Sequence, residues 1–141
     1  MGCCTPAPRS IVIESTVLRI DDETCDRCGD TVEAVRAAAA ELTVALAPLG
    51  VRVTLVEHAA TADEIESSNS VMINGRPIEE LLGAERVSTD CPSCADLLGE
   101  STCCAAVRIG DTVQESFTVE QVKDAAITAL GAVDAGGGCC C

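Results

Sequence analysis

The sequence predicts a single α/β domain with a central mixed sheet, flanking helices and a cysteine-rich loop. Strand and helix patterns alternate along its 141 residues, which is enough chain for one buried core. The core is expected to be aliphatic, because Phe117 is the only aromatic residue. The domain should span residues 11–131. The tails at residues 1–10 and 132–141, which contain prolines and a glycine run respectively, should be flexible.

The first half of the domain reads as strand, helix, strand. Residues 11–20 are rich in β-branched side chains, and residues 51–57 alternate between apolar and polar ones, so both predict strands. Between them, Asp30 and Glu33 have the spacing of a capping box that would begin a helix, and Gly50 should end it. Apolar residues recur through this helix at helical spacing: Val32, Val35, Ala39, Leu42, Leu46 and Leu49.

The second half is predicted from shorter signals. The first signals predict a polar helix at 62–67 and a strand at 70–73 that enters a turn at Asn74-Gly75. A short helix at 78–82, ended by Gly83, should follow. Residues 84–104 show no periodicity and are expected to form an irregular loop.

The last part of the domain carries two clearer signals. Gly110-Asp111 separates two apolar runs and predicts a hairpin over residues 105–117. Thr118 and Gln121 then form a second capping box, which should begin a helix that runs to Leu130.

Eleven cysteines, all in pairs or in a triplet, are the main functional signal. A thiol needs a second soft donor close by to chelate a metal ion or to form a disulfide, and these spacings supply one locally. The candidate ligands are Cys3, Cys4, Cys25, Cys28, Cys91, Cys94, Cys103, Cys104, Cys139, Cys140 and Cys141.

Cys25 and Cys28 have two competing interpretations. A C-x-x-C pair ahead of a helix can supply the low-pKa nucleophile and the resolving thiol of a thiol–disulfide oxidoreductase. The same spacing presents two tetrahedral metal ligands. Arg27 would favour a thiolate here, whereas Asp26 and Asp30 would oppose it.

Cys91, Cys94, Cys103 and Cys104 place four thiols within fourteen residues. They could form a structural zinc site, a site for a functional metal or metalloid, or a resolving partner for the first C-x-x-C pair. Joining the two C-x-x-C motifs would also make one zinc site. The spacing permits all of these.

The vicinal cysteines favour soft ions. Adjacent thiols rarely form an unstrained disulfide with each other, but they suit As(III), Hg(II), Cd(II) or Cu(I) as two-point ligands. Those in the tails are expected to capture ions and pass them to the domain, unless the tails are incidental. His58, the only histidine, is expected to be an ordinary polar residue at a strand end.

Charge and hydropathy limit the partners. Nine basic and 23 acidic residues give a formal net charge of −14, which argues against binding to nucleic acid or to anionic lipid. No apolar run approaches the roughly 18 residues of a membrane span, and no signal segment is visible. A cytoplasmic protein with reduced thiols is therefore expected, with a metal ion and a metal-transfer or redox protein as its partners.

The order of elements resembles the thioredoxin superfamily: a strand, the C-x-x-C motif, a helix, a strand and then VMINGRPI at residues 71–78. This last stretch is similar to the VFINGKxI segment of glutaredoxin-like proteins. More narrowly, residues 11–130 resemble a family of small, uncharacterised, thioredoxin-like prokaryotic proteins. The residues that carry this likeness are CDRCG at 25–29, APLGV at 47–51 and SNSVMINGRPIEELLGA at 68–84. The resemblance implies a thioredoxin-like fold and no particular activity.

One departure from the superfamily pattern concerns function. Active thioredoxin-like oxidoreductases carry a cis-proline just before the third strand, where this sequence has Asn69. Members that bind metals at the C-x-x-C commonly lack that proline. The vicinal pairs also resemble, in pattern, those of arsenical metallochaperones, which implies As(III) as one candidate ion.

Three functions follow as hypotheses. The first is binding, sequestration or delivery of a soft ion, As(III), Hg(II), Cu(I), Cd(II) or Zn(II), without catalysis. The second is a thiol–disulfide oxidoreductase that uses Cys25 and Cys28. The third is an interaction module that zinc stabilises.

Overall fold

The computed structural model describes residues 9–136, with side chains described up to residue 131. In that part of the chain the strands are β1 (Ser10–Leu18), β2 (Arg52–Ala60), β3 (Ser70–Ile73), β4 (Arg76–Pro77), β5 (Glu85–Asp90), β6 (Cys103–Ile109) and β7 (Thr112–Gln114). The α-helices are α1 (Asp26–Leu46), α2 (Ile78–Leu82), α3 (Pro92–Leu98) and α4 (Val119–Gly136). Two 3₁₀ segments lie at Ala47–Leu49 and Ala62–Ser67.

A mixed four-stranded sheet forms the centre of the fold, in the order β2-β1-β3-β4. Strands β1 and β2 are parallel over their whole length and are joined through α1, whereas β3 pairs antiparallel to both β1 and β4. Asn74 and Gly75 both have positive φ, 51° and 79°, which is the geometry of a tight hairpin turn. The prediction of an α/β fold with a mixed sheet is confirmed.

The main core lies between this sheet and the helices α1 and α4. Buried aliphatic residues of β1 and β3 pack against Val35 and Leu42 of α1 and against Val122 and the alanines of α4. Leu49 was expected to continue the apolar face of α1, but it is 61% exposed. The chain leaves the α-helical path after Leu46 and forms the 3₁₀ turn, so the helical spacing no longer applies there.

The expectation of an irregular loop at residues 84–104 is wrong. This segment contains β5, α3 and the start of β6, and β5-β6-β7 form a second, antiparallel sheet. Pro92 occupies the first turn of α3 and Gly99, with a φ of 77°, ends it. Helix α3 has seven residues and β5 has six, so neither is long enough to show a clear apolar periodicity. Strand β5 forms because it pairs with β6.

Two helix boundaries also differ from expectation. Helix α1 is capped by Cys25, not by Asp30, which lies inside the first turns. Helix α4 continues to Gly136, so the predicted tail from residue 132 begins as helix. The capping box before α4 is confirmed, because the Thr118 amide donates to Gln121 Oε1 (3.0 Å) and the Gln121 amide donates to Thr118 Oγ1 (3.2 Å).

Candidate metal centre

Four cysteine sulfurs converge in a second, smaller buried cluster. The Sγ atoms of Cys25, Cys91, Cys94 and Cys104 all lie within 4.8 Å of one another, and all four residues are buried. Apolar residues surround them, including Val17 and Leu18 at the end of β1 and Val32 of α1. We call these four cysteines the thiol cluster. Four soft donors at this separation are a candidate metal centre.

Three elements position the thiol cluster. Cys25 precedes α1, Cys91 precedes α3, Cys94 lies in the first turn of α3, and Cys104 is the second residue of β6. The Cys91 amide donates to Thr102 O (2.9 Å), which fixes the start of α3 against the approach to β6. The Asp26 amide donates to Ser93 Oγ (3.0 Å) and joins the starts of α1 and α3. The cluster therefore lies where both sheets and two helix starts meet.

Cys103 and Cys104 point in opposite directions, because successive residues of a strand face opposite sides of a sheet. Cys104 is buried and its Sγ lies 2.8 Å from Cys94 Sγ. Cys103 is exposed, and its thiol donates to Asp90 Oδ1 (3.4 Å) across the β5–β6 pair. The structure therefore does not bring this vicinal pair together on one ion within the thiol cluster.

Cys28 is fully buried beside Cys25 but is not one of the four. Its backbone amide donates to Cys25 Sγ (3.4 Å), so the first turn of α1 directs Cys25 into the cluster. The hypothesis that joined the two C-x-x-C motifs named three of the four residues. The fourth residue of the thiol cluster is Cys104, whereas that hypothesis named Cys28.

The ionisation of the thiols is uneven. Hydrogen bonds from the thiol and the amide of Cys28 lower the pKa of Cys25 to about 5 against the opposing effect of burial. The pKa of Cys28 is raised, first because its thiol proton is held by Cys25 and second by burial. Burial is the main cause that raises the pKa of Cys94 and that raises the pKa of Cys104 to about 12. A metal ion must therefore displace protons from buried thiols in order to bind.

Arg27, the residue between the two cysteines of the first motif, has a role that the sequence did not reveal. It is only 3% exposed, and its guanidinium donates to the carbonyls of Cys104 (3.1 Å) and Asp90 (2.8 Å) and to Thr89 Oγ1 (2.8 Å). It also pairs with the exposed carboxylate of Glu115 at 3.1 Å. Arg27 thus joins the start of α1 to β5 and β6 beside the cluster. No pattern in the sequence distinguishes it from a solvated arginine.

Asn69 makes a second junction between the two sheets. Its φ of 52° is left-handed, which asparagine tolerates better than most residues. The side chain accepts from Thr31 Oγ1 (2.7 Å) and donates to the carbonyls of Ala105 (2.9 Å) and Glu115 (3.0 Å). It therefore links α1 and the start of β3 to the second sheet.

The remaining candidates lie elsewhere. His58 Nε2 is 3.2 Å from Glu14 Oε1 on the neighbouring strand, and both residues are partly exposed. Cys3, Cys4, Cys139, Cys140 and Cys141 lie outside the described residues. Within residues 9–136, no helix combines the length and the apolar character that a membrane crossing requires.

Comparisons with known proteins give a family but no activity. The chain is 33% identical over 109 residues to an uncharacterised protein of the archaeon Archaeoglobus fulgidus, an alignment that covers 74% of this chain and 77% of its relative. No solved structure matches the chain significantly. Residues 11–126 match the model of a domain of unknown function, DUF2703. This match confirms the expectation of an uncharacterised family, and the chain belongs to the DUF2703 family.

Proposed function

We propose that Cys25, Cys91, Cys94 and Cys104 bind one thiophilic metal ion, and that the protein sequesters or delivers such an ion. The proposal is carried by one observation, the four buried Sγ atoms within 4.8 Å of one another. The ligands of a tetrahedral zinc–thiolate site, with bonds of ~2.3 Å, lie ~3.8 Å apart. The Cys94–Cys104 separation of 2.8 Å would open by about 1 Å around an ion.

The chemistry of the site favours holding an ion over catalysis with it. Four sulfur donors suit Zn(II), Cd(II), Hg(II) and Cu(I), and three of them suit As(III). Four protein ligands leave no open position for a substrate, which is the arrangement of a non-catalytic metal site. The buried guanidinium of Arg27, beside Cys104, lies where it would offset part of the excess negative charge of four thiolates around a divalent ion.

The other cysteines enter the proposal as auxiliary ligands. Cys103 and the five tail cysteines are accessory donors in it, and they would take ions up or pass them to a transfer partner. Binding requires reduced thiols, which agrees with a cytoplasmic protein. The parallel β1-α1-β2 unit with β3 and β4 antiparallel beside it supports the thioredoxin-like fold that the sequence resemblance implies.

Two other functions have some support. The pKa of Cys25, lowered to about 5, favours a thiol–disulfide oxidoreductase with Cys25 and Cys28 as its reactive pair. However, Cys25 is only 1% exposed, so a protein disulfide has no direct access to it. The meeting of α1, α3 and β6 at the cluster favours a zinc-stabilised interaction module. In that case one resident zinc would hold the fold and the tails would have no part in binding.

Native mass spectrometry of the reduced full-length chain, before and after addition of Zn(II), Cd(II) and As(III), tests the proposal. We expect one ion in the domain, and Cys104→Ser should weaken zinc binding by more than the ~10–100-fold that loss of an outer-shell group costs. Cys103→Ser is the matched control, since it changes the adjacent but exposed thiol, and domain zinc affinity should hold. Equal affinities for the two variants would contradict the proposed site.

The same measurement, together with an assay of disulfide turnover, separates the three functions. Uptake of further soft ions that is lost when the tail cysteines become serines supports sequestration or delivery. One tightly held zinc and no further uptake supports the interaction module. No bound ion, together with disulfide turnover that Cys25→Ser abolishes, supports the oxidoreductase.

A further inference from the structure

We propose that oxidation releases the ion through a disulfide between Cys94 and Cys104, an inference that rests on the metal site proposed above. The two Sγ atoms are 2.8 Å apart in the structure and would lie ~3.8 Å apart around a bound ion. The ~2.05 Å of a disulfide bond therefore needs an approach of about 1.7 Å from the loaded site, which passes through the separation that the structure shows. Both residues are buried side by side, so the cluster contains an oxidation site within its own ligand set.

The elements that carry this pair favour bond formation. Cys94 lies on α3, a helix of seven residues, and Cys104 lies near the start of β6. The disulfide would close a loop of only ten residues, so it costs little conformational entropy. The short α3 can adjust without disturbing the main core, which lies between α1, α4 and the first sheet.

Cys94 is fully buried, and a small oxidant would approach the pair at Cys104, which lines a groove of about 360 Å³. The groove is lined by Cys104 together with Cys103, Ser88, Val87 and Arg86 among others. A hydroperoxide fits such a groove, whereas a protein disulfide does not reach sulfurs as deeply buried as these. The oxidant is therefore expected to be hydrogen peroxide or a small organic hydroperoxide.

The reaction balances as a two-electron oxidation. The thiolates of Cys94 and Cys104 lose two electrons and their sulfurs join, while the O–O bond of the hydroperoxide breaks. The peroxide takes up the two electrons and two protons from solvent, so hydrogen peroxide leaves as two water molecules and an organic hydroperoxide leaves as an alcohol and water. A disulfide sulfur is no longer a thiolate ligand, so the ion keeps two of its four donors, Cys25 and Cys91, and leaves.

The test uses the zinc-loaded full chain, hydrogen peroxide and a chromogenic zinc chelator. We expect about one zinc released for each Cys94–Cys104 disulfide formed, and renewed zinc binding after reduction with a phosphine. Cleavage at acidic residues such as Asp96 and Glu100 separates the two cysteines for peptide mapping by mass spectrometry. Zinc that stays bound while peroxide is consumed overturns the inference, and so does release with disulfides formed only elsewhere.

One matched variant completes the design. Cys28→Ala removes a buried thiol of the same apolar cluster that is not one of the four. This variant should keep the one-to-one release, and loss of release in it would overturn the inference. A reduced chain that takes up no zinc contradicts the proposed function before any oxidant is added. A chain that binds zinc but forms no Cys94–Cys104 disulfide contradicts this inference alone.

Discussion

Arg27 shows how a single residue can organise the surroundings of the thiol cluster without contributing a sulfur to it. Its guanidinium donates to four acceptors on β5 and β6, and its own position in the first turn of α1 lies between Cys25 and Cys28. Burial of a guanidinium costs free energy that hydrogen bonds must offset. Nη1 and Nη2 of Arg27 donate to β5 and β6, whereas Nε has no partner among the described atoms. The contribution of Arg27 to stability therefore depends on where β5 and β6 place these acceptors.

Replacement of Arg27 by lysine tests this dependence. A single ammonium cannot reproduce the planar set of donors, so Arg27→Lys should lower the free energy of unfolding by about 1–3 kcal/mol. Urea denaturation of the zinc-loaded protein measures the change. The control is Arg36→Lys, which alters an exposed ion pair with Glu57 and should cost less than about 0.5 kcal/mol. If both variants lost the same free energy of unfolding, the buried hydrogen bonds of Arg27 would add no more stability than an exposed ion pair.

Among the secondary-structure elements, α3 depends most on the thiol cluster. Its seven residues are far fewer than the ~12–15 that an isolated helix needs to be stable in water. Two of the four cluster cysteines lie at its start, and Cys94 is its one fully buried residue. An ion bound there would hold α3 in place, as structural metals do in small domains.

Removal of the ion should therefore loosen α3 first. We expect hydrogen exchange at residues 92–98 to rise by at least about tenfold when a chelator strips zinc from the reduced protein, while the centre of α1 stays protected. Mass spectrometry of deuterated peptides provides the measurement. Helix α2 is the internal control, since it is also short but packs on α4 within the main core. Similar increases in α2 and α3 would mean that the metal acts on the whole fold.

Long periodic elements could be predicted from the sequence and the parts that depend on distant contacts could not. The apolar spacing of α1, the Asn74-Gly75 turn and the cap at Thr118 are local signals, and the structure agrees with each. Strand β5 and helix α3 gain their order from β6 and from the cysteines around them, which no window of sequence contains. Cys104 and Cys25 belong to the same cluster although they are 79 positions apart in the sequence. Spacing alone therefore could not show that Cys104, and not Cys28, is the fourth member.

At the scale of the whole molecule, the metal-free protein should respond to pH through its buried thiols. Cys25 has a pKa lowered from 9.0 to about 5, so the stability it contributes is present above pH 9 and is lost as the pH falls towards 5. Cys28, Cys94 and Cys104 have raised pKa values, so unfolding releases their protons above pH 9 and stability then falls. The chain has no tyrosine to obscure this titration.

The free energy of unfolding of the reduced, chelator-treated protein should therefore rise from pH 6 to pH 9 and decline from pH 9 to pH 11. Urea denaturation at a series of pH values gives the profile. Cys25→Ala should remove most of the rise, because the residue then has no thiolate to stabilise. A flat profile between pH 6 and pH 9 in the unaltered chain would show that Cys25 is not ionised in the folded protein.

The arrangement of the thiol cluster along the chain has a consequence for biosynthesis. Cys25 is made early, but Cys104 belongs to a strand that is synthesised 79 residues later. A nascent chain that has not yet exposed β6 offers at most three of the four sulfurs. If the thiol cluster binds a metal ion as proposed, binding by all four sulfurs must follow translation of most of the domain, and a truncated chain that ends before Cys104 would bind that ion more weakly.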